Sequence, residues 1–376
     1  MTSWHAWMKS ERLRAGGRHA VSLAAQGVEH SRAPHWLIGL ALGLAIGVAL
    51  SLTACDRHAD PGAARLPALG LPTGDISVAG ISSGGYMAGQ LHLAHADRIS
   101  GAAILAAGPW RCAEGRMQQA LNLCISADEA DIDIDALVEQ ARNAAQAQHI
   151  APVAALSGDR VWIFRGTRDT VAGAGVTRAL AQFYRRLAPE AHVTLSEDVD
   201  ATHAWPTVDF GTACEGLEVP YLAACGFDAA GTLLAALRGE LAAPREGAGR
   251  LLRFDQREFW PASTAHSLHP AGWLFVPAQC SEAPLSCRLL VVLHGCRQSE
   301  DFVDEAFVRH TGLNEWAAGN DLVVLYPQVQ TSTVRPMNPL GCWDWWGYSG
   351  DDYTQRSAPQ IRAVMAMVER LGQPPL

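Results

Sequence analysis

Short apolar runs rich in β-branched residues alternate with helix-length segments along most of the chain, and this alternation limits the possible folds more than any other feature. The predicted strands are Ile76 to Ala79, Gly101 to Ala106, Val161 to Arg165, Val193 to Leu195, Leu289 to His294 and Leu322 to Tyr326. The predicted helices are Gly85 to His95, Ile134 to Gln148, Val176 to Leu187, Phe302 to Ala318 and Pro359 to Leu371. Such alternation predicts βαβ units in an α/β fold, with a mostly parallel sheet and helices on both faces.

The composition excludes several classes of function. The 376 residues are 49% hydrophobic and 18% charged, as in a globular protein. Lys9 is the only lysine, so Schiff-base, pyridoxal-phosphate and Walker-type phosphate chemistry are not expected. The net charge is −9, and after residue 54 there are 24 basic against 36 acidic residues, or −12. This acidic balance argues against nucleic acid as a partner.

An export signal is predicted for residues 1–54. No charged residue occurs from Trp36 to Ala54, and a basic segment precedes this apolar run. The run ends in Leu52-Thr53-Ala54-Cys55, which resembles the lipobox of bacterial lipoproteins, where the signal is cut before a cysteine that receives a lipid. We therefore expect a periplasmic or cell-surface lipoprotein, held on a membrane through Cys55. The alternatives are a transmembrane anchor, and a cleaved signal that releases a secreted extracellular protein.

The eight cysteines after Cys55 predict disulfides, because their number is even and the signal directs the chain to an oxidising compartment. Eight cysteines allow 105 pairings; we choose the pairing that joins three sets of close neighbours and leaves the last two for each other. The pairs are Cys112 with Cys124, Cys214 with Cys225, Cys280 with Cys287, and Cys296 with Cys342. No CxxC motif occurs, so we expect no metal site, and no cofactor is implied.

A predicted strand, turn and helix near residue 80 carry the pattern GxSxG. The strand runs to Ala79, the turn is Gly80-Ile81-Ser82-Ser83-Gly84, and a helix follows. A serine at the apex of such a turn has a strained backbone, and the residues two before and two after it must lack side chains so that strand and helix can approach. This context predicts that Ser82 is a nucleophile. The alternative is a glycine-rich turn whose serine merely caps the helix.

A nucleophilic serine needs a base, and the base needs an acid that fixes its tautomer. In α/β hydrolases the chain order is serine, acid, histidine. Asp169 and His203 each follow a predicted strand, and an open α/β sheet builds its site at the carboxyl ends of strands. They are the predicted acid and base. The competing residues are Asp198, Asp200, His149, His192 and His294.

A tetrahedral intermediate needs two N–H donors, one from Ser83 and one usually from a loop that precedes the nucleophile. Nothing before Ser82 has the form of such a loop. Far downstream, however, the predicted strand from Leu289 ends in His294-Gly295. Because the chain also has the GxSxG turn, we interpret this segment as the second donor site. Its position late in the sequence is the one that a circular permutation would produce. By itself it could be an ordinary buried strand end.

In their joint order these motifs resemble those of extracellular poly(3-hydroxybutyrate) depolymerases, particularly the single-domain fungal type, whose catalytic domain is a circularly permuted α/β hydrolase. The matching segments are Gly80 to Met87, Gly166 to Asp169, His203 to Pro206, Phe254 to Gln256, Leu293 to Gln298 and Gly341 to Gly347. The resemblance implies Ser82 as nucleophile, Asp169 as orienting acid and His203 as base. It also implies an oxyanion hole made by the backbone N–H groups of Ser83 and Cys296, and it supports the bridge from Cys296 to Cys342.

The function implied is that of a serine esterase acting on poly(3-hydroxybutyrate) or its oligomers. Two alternatives stay open: a feruloyl or acetyl esterase on plant polysaccharide, and a membrane-tethered binding protein with an inactive hydrolase fold. Many bacterial depolymerases append a linker and a polymer-adsorbing domain, whereas this chain stops soon after Leu371. We therefore do not expect the adsorption to bulk polymer that such a domain provides.

Two further expectations concern organisation and substrate. Residues 55–72, rich in Pro, Ala and Gly, are predicted to be a flexible tether, and residues 73–376 a single catalytic domain that acts as a monomer. Trp343, Trp345 and Trp346 stand within four residues. We expect that they cannot all belong to the core and that at least one binds the apolar ester chain. The alternative is that two are core packing and the third is incidental.

Overall fold

The computed structural model describes residues 64–261 and 265–375. They belong to one compact unit that runs from Gly62 to Leu376. The predicted export signal, the lipobox and Cys55 lie outside the described residues. Within the described part of the chain, no helix is both long enough and apolar enough to cross a membrane.

Eleven strands occur in the described residues, eight of them in one sheet. They are β1 (Ile76–Ile81), β2 (Ile99–Leu105), β3 (Arg160–Phe164), β4 (His192–Ser196), β5 (Trp205–Thr207), β6 (Thr212–Ala213), β7 (Leu222–Ala224), β8 (Gly249–Asp255), β9 (Ala271–Pro277), β10 (Arg288–Leu293) and β11 (Leu322–Tyr326). The large sheet has the order β4-β3-β2-β1-β10-β11-β9-β8, and the short strands form a second sheet in the order β5-β7-β6. All six predicted strands lie in the large sheet.

Ten α-helices connect and cover these strands in the described residues. They are α1 (Ser83–Ala94), α2 (Met117–Asn122), α3 (Ile134–Gln146), α4 (Ala174–Leu187), α5 (Ala229–Arg238), α6 (Ala278–Glu282), α7 (Glu300–Val303), α8 (Ala306–His310), α9 (Leu313–Gly319) and α10 (Pro359–Gly372). Every residue of β1 is buried, and so are five of the six residues of β10. Strands with no exposed face are typical of a parallel sheet that is covered on both sides.

The order of the strands brings distant parts of the chain together at the centre of the sheet. β1 pairs in parallel with β2 on one side and with β10 on the other, and Gly80 lies opposite Leu293 in the register with β10. The strand that leads into His294-Gly295 is therefore the direct neighbour of the strand that leads into Ser82. This arrangement fits the predicted circular permutation, because the second donor strand comes late in sequence but lies beside the nucleophile strand in space.

The fold differs from the prediction in several features, of which two concern the large sheet and its helices. β8 and β9 pair antiparallel at one edge of the sheet and were not expected. The single helix predicted from Phe302 to Ala318 is instead three short helices, α7, α8 and α9. Asp304 (φ 48°) and Gly312 (φ 81°) interrupt it, because left-handed backbone cannot continue a right-handed helix.

The predicted tether is shorter than residues 55–72. Leu66 and Leu71 are 1% and 3% exposed, and the N–H groups of Leu69 and Leu71 both donate to the carbonyl of Leu371. Residues 64–72 therefore pack on the domain, although their Pro, Ala and Gly content is typical of a linker. The two buried leucines supply the apolar contact that this composition-based prediction overlooked.

All four disulfides of the described residues match the predicted pairing. Cys112–Cys124, Cys214–Cys225 and Cys280–Cys287 close short loops, with sequence separations of 12, 11 and 7 residues. Cys296–Cys342 closes a longer loop, with a separation of 46 residues. Four disulfides in one domain fit an exported protein.

These separations predict a ranking of stability losses. In the chain-entropy view a disulfide stabilises by restricting the unfolded chain, so Cys296–Cys342 should contribute about 4 kcal/mol and Cys280–Cys287 about 2.5 kcal/mol. Paired Cys→Ser variants of each bridge, compared by urea unfolding, measure the difference. A larger loss for the short bridge than for the long one would contradict the ranking.

Candidate active site

The turn after β1 has the geometry of a nucleophile elbow. Ser82 has φ 57° and ψ −122°, a backbone conformation rarely adopted by a residue with a side chain. A Cβ on Gly80 would lie 2.2 Å from the carbonyl oxygen of Gly84, and a Cβ on Gly84 would lie 2.2 Å from that of Leu293. Both positions require glycine, as predicted. Ser82 is partly exposed between two buried neighbours, Ile81 and Ser83, so its side chain stands at the apex of the turn.

Asp169 and His203 meet beside the carboxyl ends of β3 and β4. His203 Nδ1 lies 2.8 Å from Asp169 Oδ2. The other oxygen, Asp169 Oδ1, accepts hydrogen bonds from the backbone N–H groups of Val171 and Ala172, each 2.8 Å long. The carboxylate is buried and fully engaged, which fixes its orientation. The contact assigns a proton to Nδ1 of His203 and leaves Nε2 as the acceptor.

Backbone pairing between the two loops explains why these residues meet. The N–H groups of Thr167 and Arg168 donate to the carbonyls of Val199 and Ala201. A Cβ on Gly166 would lie 2.1 Å from the Ala201 oxygen, so glycine permits this approach. The loops after β3 and β4 therefore stay side by side beyond the ends of the strands, and this brings Asp169 and His203 together.

The competing residues have other surroundings. Asp200 pairs with Arg168 at 2.5 Å on the surface, and Asp198, His149 and His192 are exposed. His294 is fully buried, and burial lowers its pKa to about 4. Its Nδ1 donates to the Gly295 carbonyl (2.7 Å) and its Nε2 accepts from the Val329 N–H (3.3 Å). His294 is therefore a neutral residue that shapes the end of β10.

The segment after β10 lies directly against the elbow. A Cβ on Gly295 would lie 3.4 Å from the Cβ of Ser82, so the segment that leads to Cys296 passes beside Ser82. Ser83 is the first residue of α1, so its N–H has no carbonyl one turn earlier in the helix to bond. These positions are compatible with the predicted oxyanion donors, whose role stays a prediction.

The expectation that the three neighbouring tryptophans cannot all belong to the core is wrong. Trp343, Trp345 and Trp346 are 0%, 7% and 8% exposed, so all three are buried. Trp345 stacks on Tyr86 with ring centroids 4.8 Å apart. Trp346 packs edge-on against Trp345 and Tyr348. Trp343 packs instead against His294, with ring centroids 5.8 Å apart, so each indole is covered by a neighbouring ring. Contact between an indole edge and substrate stays a prediction.

Asp344 organises the loop of residues 343–349, which carries the three tryptophans. This role was not predicted from the sequence. Its buried carboxylate accepts hydrogen bonds from the backbone N–H groups of Gly347, Tyr348 and Ser349 at 2.7 to 2.9 Å. Burial nevertheless raises its pKa. An aspartate three residues before a glycine in an aromatic segment was the available signal. The loop also reaches the elbow, since the Trp343 N–H donates to Ser83 Oγ at 3.3 Å.

Metal ligands are not grouped in this region. Within residues 64–261 and 265–375, no cluster of three or more His, Cys, Asp and Glu side chains could hold a metal ion.

The parallel sheet, the elbow at Ser82 and the Asp169–His203 contact define the chain as an α/β hydrolase. Its relatives are named depolymerases. A "Poly(3-hydroxybutyrate) depolymerase" of Delftia acidovorans is 40% identical over 333 residues, which are 87% of this chain and 65% of that protein. A "Polyhydroxybutyrate depolymerase" of Talaromyces funiculosus is 32% identical over 324 residues, 82% of this chain and 93% of that protein. The chain belongs to the polyhydroxybutyrate depolymerase family, as the motifs predicted.

Solved structures agree with this assignment. The PHB depolymerase from Penicillium funiculosum is 29% identical with a TM-score of 0.72, and the match covers 82% of this chain and 98% of that one. A serine-to-alanine PHB depolymerase complexed with an R3HB trimer matches with the same values. The chain spans less than two thirds of the length of the Delftia protein. No family model matches the chain.

Proposed function

We propose that this protein is a serine esterase that hydrolyses poly(3-hydroxybutyrate) or its soluble oligomers. The observation that carries the proposal is the contact between Asp169 and His203 in a family member with Ser82 at an elbow. Ester hydrolysis needs these three groups together, because the hydroxyl is a weak nucleophile without a base of fixed tautomer. A solved relative bound to an R3HB trimer supports oligomers as substrates.

In the proposed mechanism, Ser82 Oγ attacks the ester carbonyl while His203 Nε2 takes the hydroxyl proton. The backbone N–H groups of Ser83 and Cys296 bind the developing oxyanion. His203 then gives its proton to the leaving alcohol, which produces the acyl-enzyme. A water molecule attacks this ester with His203 again as base, and the 3-hydroxyacid product leaves Ser82 free.

Product analysis tests the reaction and its substrate. The purified enzyme and its Ser82→Ala variant are incubated with 3-hydroxybutyrate oligomers, amorphous polymer and p-nitrophenyl esters, and the products are separated by chromatography. We expect 3-hydroxybutyrate or short oligomers from the wild type alone. Activity on p-nitrophenyl esters without any release from 3-hydroxybutyrate substrates would support an esterase but contradict the proposed substrate.

We also propose that lipid at Cys55 holds the enzyme on a membrane, as a monomer. Because residues 64–72 pack on the domain, the predicted tether comprises only residues 55–63. A flexible chain of that length spans about 15 to 18 Å. So short a tether favours soluble oligomers and short amorphous chains over crystalline polymer, because a granule surface needs a mobile enzyme.

Membrane fractionation tests this location. We expect the wild-type protein in the membrane fraction, with globomycin blocking its processing, and the Cys55→Ser variant without lipid. Rates on oligomers and on crystalline film are compared for both forms. A freely released wild-type protein that clears film faster than it cuts oligomers would contradict both the anchor and the preference.

A further inference from the structure

A buried glutamine, Gln298, joins the proposed oxyanion turn (residues 295–298) to Pro220 and Tyr221, which lie beside the segment that carries the proposed base. It is 2% exposed. Its Oε1 accepts a hydrogen bond of 2.8 Å from the Gly295 N–H. Its Nε2 donates to the Tyr221 carbonyl at 2.9 Å and to the Pro220 carbonyl at 3.3 Å. One side chain thus binds two backbone segments that are far apart in sequence.

The first of these bonds determines which N–H of the turn is available. The Gly295 N–H is engaged by Gln298, the Arg297 N–H donates to the Leu340 carbonyl at 2.8 Å, and the Gln298 N–H donates back to the Gly295 carbonyl at 3.3 Å. Among the described residues, the N–H of Cys296 donates to no protein acceptor. The turn therefore presents one unengaged donor, next to Ser82.

The second bond ties this turn to His203. The Tyr221 carbonyl that accepts from Gln298 also accepts a 2.9 Å hydrogen bond from the backbone N–H of Trp205, two residues after His203. Trp205 is itself buried. The Tyr221 carbonyl thus connects the amide side chain of Gln298 with the backbone of the segment that follows His203.

We propose that Gln298 is a positioning residue that holds the Cys296 N–H in register with Ser82 and His203. The inference rests on the proposed esterase function. It goes beyond it by assigning the geometry of the oxyanion hole to a side chain that touches neither substrate nor reacting atoms. An oxyanion donor acts only when it is held where the charge develops, so loss of this support should lower kcat rather than weaken substrate binding.

The test uses Gln298→Met, which keeps the length of the side chain and removes all three of its hydrogen bonds. We expect kcat on a p-nitrophenyl ester to fall by about 10²-fold, as when one oxyanion donor is lost, with KM changed by less than about threefold. Affinity for a boronic acid, which mimics the tetrahedral intermediate on Ser82, should fall by a similar factor. An unchanged kcat, or a lower kcat with unchanged boronate affinity, would overturn the proposal.

The matched control is Gln256→Met. Gln256 is equally buried, accepts from the Gln328 N–H (3.0 Å) and donates to the carbonyls of His269 and Gln328 (2.8 Å each). It makes the same kind of bridge without touching the turn. We expect a similar drop in melting temperature but a kcat within about twofold of the wild type. An equal loss of kcat in both variants would show that Gln298 is merely structural.

Gln298→Glu keeps the test decisive if the methionine variant does not fold. Its ionised carboxylate still accepts from Gly295 but cannot donate to Tyr221, whereas its protonated form can do both. The ratio of variant to wild-type kcat should therefore rise as the pH falls, and a pH-independent ratio would contradict the positioning role. A wild-type enzyme inactive on every ester would instead refute the proposed function, so the two failures are distinguishable.

Discussion

Replacing Ser82 with alanine should lower kcat/KM on any ester substrate by at least about 10³-fold, because its hydroxyl oxygen is the proposed attacking atom. The variant should fold normally. Ser82 stands partly exposed at the apex of its turn, so the lost oxygen leaves no buried cavity, and alanine bears the same positive φ as serine. Initial rates on a p-nitrophenyl ester, together with circular dichroism, measure both expectations.

The matched control is Ser157→Ala. Ser157 is exposed, and its hydroxyl donates to Glu190, away from the elbow in sequence and on another element. Its removal should leave the rate unchanged. If Ser82→Ala retains more than a tenth of the wild-type activity while folded, Ser82 is not the nucleophile.

Replacing Asp169 with asparagine should lower kcat by about 10⁴-fold. The reason lies in the two backbone N–H groups of Val171 and Ala172, which hold Oδ1 as an acceptor. An asparagine must keep its oxygen there, so its NH₂ group faces His203. Nδ1 of His203 then has to accept, the proton moves to Nε2, and the imidazole can no longer take the proton of Ser82. Steady-state kinetics of the folded variant measure the loss.

Asp200→Asn supplies the comparison for this prediction. Asp200 lies on the same loop as His203 and was a competing candidate for the acid, but its carboxylate pairs with Arg168 in solvent. Exposed ion pairs contribute little, so this variant should keep nearly full activity. A greater loss from Asp200→Asn than from Asp169→Asn would reassign the acid.

Hydrophobic periodicity predicted most of the buried strands, because continuous apolar runs are strong signals. It missed β8, which lies at the sheet edge with mixed exposure. It also missed β9, although all seven residues of that strand are buried. It also merged α7, α8 and α9, since an aspartate with positive φ carries no pattern that marks a break. The boundaries of such elements depend on tertiary contacts, which a local sequence pattern does not contain.

How well each site residue was predicted depended on the kind of sequence signal behind the prediction. Asp169 and His203 were placed by chain order and strand ends, and the sheet topology brings them into contact. The tryptophans were judged by their number alone, which cannot show that aromatic rings bury one another. Gln298 lay within a recognised segment, yet its role depends on Tyr221, a partner that sequence spacing does not reveal.

The pairing of β1 with β10 has a consequence for when the protein becomes active. Ser82, Asp169 and His203 all precede the strand that leads to Cys296, and the hydrogen bond from Trp343 to Ser83 joins residues 260 positions apart. Contacts so distant in sequence close late, because the chain entropy of the intervening loop must be lost first. In a folding chain the residues of the proposed nucleophile and base would therefore be in place before the proposed second oxyanion donor, and we expect esterase activity to appear only as the last strands dock.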